Sequence, residues 1–347
     1  MKSRHECHKK SLRGMGVAAV IILGILSAVG SGSGGGGFDS GGGTPSGSTP
    51  SSIKAFNFDG SNTVTAAQLA ANAMSFFSNF TDLGQEVIDM LLTSDPNNSP
   101  FDLTTGCQNP GDNPDAKLIW TDNGDGIISV GDKATLQFTN CDLDGSGATG
   151  TGTVDFVVTG VDPDPLPNSV GLDVSVNVTF NDSPDIIKYT ATFGVMSSTP
   201  NNADVTVVYT ADDTKGHNLT VTKNGVTRFK FACFNVTKAY NVGTNPGTYA
   251  LSANGVINAS DSIFSLVGGP PPQMSFVSDW MESGTKRLES LSSPACATAG
   301  APNGVGDSDG SYINMEAQGG GMVRLHTFDV ANVEFFTTDT IWNDLLN

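Results

Sequence analysis

Any chemistry in this chain would have to be carried mainly by carboxylates. Beyond residue 30 there are two histidines, His217 and His326, against 34 Asp and Glu. A hydrolytic triad needs a histidine within hydrogen-bond reach of a nucleophile. His217 follows Lys215-Gly216 in a turn-like stretch, His326 sits in a strand-like one, and no motif surrounds either. No Gly-x-Ser-x-Gly stands at a strand-to-helix turn, and there is no Walker loop or His-Glu-x-x-His. The glycine-rich segments read as tether or β-turn rather than phosphate cradle. A carboxylate pair for glycoside hydrolysis depends on separation in space, which the order of residues does not give. Trp120, Trp280 and Trp342, with five tyrosines, could line a sugar platform or pack into a core. The net charge is −18. Without residues 1–30, 12 Lys and Arg face 34 acids, a net charge of −22. Such a surface repels nucleic acid and anionic lipid, so neither is expected as a partner.

The most organised group of acids lies between Cys107 and Cys141. Leu118-Ile119-Trp120 and Ala134 to Phe138 are strand-like, and Asp122-Asn123-Gly124-Asp125-Gly126 separates them. Asn-Gly and Asp-Gly favour the positive backbone angles of tight turns, so the simplest expectation is a hairpin. The sharper one is a calcium loop, because hard cations take oxygen ligands at alternate positions with a glycine at the bend. With Gly126 at the sixth position, the stretch resembles an EF-hand loop. Thr121, Asn123 and Asp125 then fall at positions one, three and five, Ile128 at the apolar site and Asp132 at the end. The family pattern has Asp first and Glu last. Two shorter echoes lie at Asp142–Gly147 and Asp307–Ser311. The implied cofactor is Ca2+, held by Thr121, Asn123, Asp125 and Asp132.

Residues 1–30 read as a secretory signal: Lys2, Arg4, Lys9, Lys10 and Arg13, then an apolar core from Met15 to Val29. The core falls short of the about 20 residues of a membrane span. Residues 31–52 are a Gly/Ser-rich tether unable to bury a core. Signal plus tether is similar to a bacterial lipoprotein precursor, which implies export and tethering. Ser31 stands where that class carries its lipidated cysteine, and Cys7 lies on the cytosolic side. Membrane contact is therefore expected only through the N-terminus, if the signal stays uncleaved. Four cysteines remain: Cys107, Cys141, Cys233 and Cys296. In an exported chain they suggest two disulfides out of three connectivities, and sequence order favours 107–141 with 233–296.

These residues need a scaffold. Leu69, Ala73, Phe76, Phe77, Phe80, Leu83, Val87, Ile88 and Leu91 recur at spacings of three and four, predicting an amphipathic helix over 66–92. Thr65 to Gln68 has the form of a capping box, and Gly84 is a candidate kink. From 151 the period becomes two, with runs centred on 154–158, 174–180, 189–195, 205–209, 219–221, 229–233 and 249–253. Residues 274–290 read as a strand or a short helix, 323–336 as a last hairpin and 340–346 as a helical turn. The expected fold is mainly β with an N-terminal helical segment (α+β): a large, curved antiparallel sheet packed on the amphipathic helix. It would fill residues 53–347 as one domain, with a sub-boundary near 268–272.

The expected function is a non-catalytic exported protein with a structural or binding role at the cell envelope, stabilised by Ca2+. The compartment would be the periplasm, the outer-membrane surface or the extracellular space, and the partner an envelope protein or an apolar ligand. Two other readings stay open: a periplasmic carrier of an apolar ligand or lipid, and a secreted hydrolase using carboxylates.

Overall fold

The structure is a computed structural model describing residues 54–107, 114–142, 149–162, 169–182, 184–198, 204–241, 248–259, 262–267, 274–277, 280–290 and 308–346. The signal, the tether, Ser31, Cys296, the 268–272 break and most of the 142–147 echo lie outside these residues.

Helix α1 spans Thr63–Thr93. It starts two residues before the expected capping box. The Asp59 carboxylate accepts from the Ser61 and Asn62 N–H groups, and the Thr63 hydroxyl donates to the Asp59 carbonyl. This turn sets the start at Thr63, and Thr65 falls inside the first turn. Gly84 does not interrupt the helix. A mid-helix glycine costs about 1 kcal/mol, which tertiary packing readily offsets. After Thr93 the Asp95 side chain accepts from the Asn97 N–H and turns the chain into a 3-10 turn at Pro96–Asn98.

The rest of the described chain is mostly β, in one large 18-stranded sheet. The strands are β1 (Lys54–Ala55), β2 (Phe101–Asp102), β3 (Asp115–Thr121), β4 (Lys133–Asp142), β5 (Thr149–Val161), β6 (Ser169–Asp182), β7 (Asp185–Ser198), β8 (Asp204–Thr210) and β9 (Asn218–Lys223). There follow β10 (Val226–Asn241), β11 (Thr248–Ala259), β12 (Ser262–Val267), β13 (Met274–Val277), β14 (Trp280–Ser283), β15 (Thr285–Ser290), β16 (Tyr312–Gly319), β17 (Met322–Phe328) and β18 (Glu334–Ile341). A short helix, α2 (Trp342–Leu346), closes the chain. From β2 to β7 each strand pairs antiparallel with the next. β8 and β9 share the gap between β7 and β10. The sheet continues through β11, β12, β15, β16 and β17 to β18, while β13 and β14 branch from β11. The described residues of 274–290 thus form strands β13, β14 and β15, not a helix.

The alternating residues bury one face of the sheet, and α1 covers it. Phe77 contacts the rings of Phe193 on β7, Tyr209 on β8 and Phe231 and Phe234 on β10, at 4.6–6.1 Å between centroids. Phe80 reaches Phe156 on β5, and Phe76 stacks on Tyr189. Tyr209 donates its hydroxyl to Thr81 on α1, so the aromatic contact also satisfies a buried polar group. Gly255 is required here: a Cβ would lie 2.5 Å from the Phe231 ring.

Cys107 and Cys141 form a disulfide, Cα–Cα 5.0 Å, tying the segment before β3 to the end of β4. Cys233 is disulfide-bonded as well. Its expected partner, Cys296, is outside the described residues.

Phe77 is fully buried, and truncation leaves a cavity among five aromatic rings. Phe77→Ala should lower the unfolding free energy by about 3–5 kcal/mol in a denaturant titration. Val330→Ser, at a residue 72% exposed, should change it by less than about 0.5 kcal/mol.

Candidate metal centre

The β3–β4 hairpin pairs Trp120 with Ala134 and Thr121 with Lys133. Continuing that register sets Asp122 across from Asp132, two like charges on one face. Such a pair is destabilising unless something screens it. Asp122, Asp125 and Asp132 each place one carboxylate oxygen within 4.8 Å of the others.

Each acid is held by the backbone of the loop. Asp122 Oδ2 accepts from the N–H groups of Gly124 (2.8 Å) and Gly126 (3.1 Å). Both glycines have positive φ, +106° and +75°, and the loop needs glycine there to curl back over the carboxylate. Asp132 has no exposed surface; it accepts from the Asn123 N–H through Oδ1 and from the Ser129 N–H through Oδ2. Asp125 is exposed and accepts from the Ile127 N–H, which holds its pKa below the usual carboxylate value, with a further contribution from the Ser129 side chain. Ile128 tucks under the loop, 8% exposed. Asp122 Oδ1 is different: it is enclosed by protein and accepts no hydrogen bond. A desolvated carboxylate oxygen without a donor is costly. A cation coordinated by the three acids would satisfy it.

Of the four expected ligands, Asp125 and Asp132 come together. Thr121 is exposed at the end of β3. Asn123 gives its N–H to Asp132 and its side-chain amide to Ser129 Oγ, 2.7 Å. The residue the spacing argument passed over is Asp122. An EF-hand register fixed on Gly126 skips it, whereas the hairpin register puts it opposite Asp132. The oxygen donors suit a hard cation such as Ca2+.

The other chemistry-bearing residues lie elsewhere. His217 is buried in a turn, where its Nδ1 accepts from the Asp212 N–H. His326, on β17, sits between Glu316 (3.3 Å from Nε2) and Glu334 (3.2 Å from Nδ1). Trp120 and Trp342 are both buried, and the Trp280 side chain is outside the described set. No helix among the described residues is long and apolar enough to cross a membrane. Comparison with protein families, with characterised proteins and with solved structures finds no match.

Asp132→Asn would set an amide donor against one of the two backbone N–H groups that Asp132 accepts. It should cost about 1–3 kcal/mol by denaturant titration, and Thr121→Ala less than about 0.5 kcal/mol.

Proposed function

We propose that this is a non-catalytic exported protein of the cell envelope, structural or binding in role, whose β3–β4 turn is tied by Ca2+. One observation carries the reading. The same hairpin has a disulfide at its open end and three converging carboxylates, one with an unsatisfied oxygen, at its turn. Disulfides persist in oxidising compartments outside the cytosol. Calcium sites in extracellular modules work at about 10⁻⁴–10⁻³ M, a concentration range met outside the cell. Both cross-links fit an exported chain, in agreement with the signal-like residues 1–30. The ligand set is Asp122, Asp125 and Asp132, with loop carbonyls and water completing the shell.

The rings of Phe76, Phe77 and Phe80 fill the space between α1 and the sheet. A carrier of an apolar ligand would need room there. This packing therefore favours the structural or binding role over the carrier.

Melting in chelator and in 2 mM Ca2+ tests the reading. At 2 mM, about 2–20 times a Kd in that extracellular range, binding to the folded state alone adds about 0.6–1.8 kcal/mol, so the melting temperature should rise by a few degrees. Asp122→Asn should abolish the rise. An equal melting temperature in both buffers would overturn the calcium assignment.

A further inference from the structure

Lys286 is an amine-bearing side chain turned into the core. It shares the inward face of β15 with Leu288 and is 2% exposed. Its Nζ donates to the Ala253 carbonyl on β11. That carbonyl marks a junction. Gly255–Ala259 of β11 pair with β12, and Thr248–Leu251 pair with β13. Between them, Ser252 to Asn254 keep β10 on one side and are left by both strands on the other. Two branches of the sheet diverge there, and Lys286 reaches from one of them to the point of divergence.

Among the described residues the amine faces no carboxylate. On β15 itself, Arg287 and Glu289 pair with each other on the opposite face. Glu316 of β16 is directed to His326, and Glu282 of β14 accepts from the Gly320 N–H. β12 and β13 contain no titratable side chain. Lys238 of β10 is the other inward cation; it donates to the Ser78 carbonyl and lies over the Tyr249 ring, 4.4 Å from its centroid. The described side chains of α1 carry no charge, and Asp82, Glu86 and Asp89 of that helix are outside the described side chains. Burial pushes the Lys286 amine down to about 7.

We propose that Lys286 is a pH-sensitive pin: the neutral amine closes the sheet junction at Ala253, and the ammonium loosens β13, β14 and β15 around it. The sign follows from proton linkage. In the opened junction the amine regains water and its ordinary pKa of 10.5. Between about 7 and 10.5 the open state binds the extra proton, so the closed state gains as pH rises. Below about 7 both states are protonated and the opening population levels off at its maximum.

Hydrogen exchange on the full chain between pH 7 and 9, corrected for the intrinsic rate, reads this directly. Protection of peptides covering 251–255 and 274–290 should rise about tenfold per pH unit. Lys286→Met removes the proton and should abolish that slope. Lys286→Arg stays charged throughout, so it should show weak, pH-independent protection in the same peptides. It also keeps the test available should the Met variant not fold. No slope in the unsubstituted protein, or the same slope in either variant, would overturn the proposal.

Discussion

The packing of one helix face into the sheet is the contact on which the rest of the molecule depends. Phe76, Phe77 and Phe80 share one face of α1 and meet rings from β5, β7, β8 and β10. None of those strands could bury its apolar face alone, since a lone hairpin is marginal in water. The helix in turn carries too many apolar residues to stand in solvent. Each element supplies the cover the other lacks, and the result is one continuous core running from Phe58 to Leu345.

The outer side of β3, where the two-residue β2 pairs with only part of it, shows how that core is protected. The β3 backbone meets side chains of the preceding segment: the Trp120 N–H donates to Ser99 Oγ and the Ala116 N–H to Thr104 Oγ1. The Leu103 N–H then donates to the Ala116 carbonyl. An edge capped in this way offers few free backbone groups to another chain. The disulfide from Cys107 holds the capping segment in place. Edge, disulfide and acidic turn thus belong to a single hairpin, which joins the only long helix among the described residues to the sheet it packs on.

Much of this was legible in the residues. The seven runs of alternating apolar residues between 151 and 259 all became strands, because each buries one face and exposes the other over at least six residues. Less legible was 262–319. There β13 and β14 have four residues each, β15 carries a lysine at an inward position, and the neighbouring β11 changes partner midway, so the alternation is interrupted. The start of α1 was misplaced because Asp59 and Asn62 form a local turn that outcompetes the Thr65 motif. At the acidic turn, spacing along the chain brought out Asp125 and Asp132. Asp122 needed the cross-strand register, which depends on how β3 and β4 pair. The inward lysine of β15 follows the alternation but breaks its polarity, and its reason appears only at the junction where Ala253 keeps β10 on one side and is left by β12 and β13 on the other.

The account rests on a filled interior and a cation at the hairpin turn. Native mass spectrometry of the purified protein, set against the denatured mass, addresses both at once. The account predicts a native excess of about 40 Da from one divalent cation, lost in chelator and in Asp122→Asn, with no further adduct. A lipid-sized adduct released on unfolding would contradict it and return the carrier to first place.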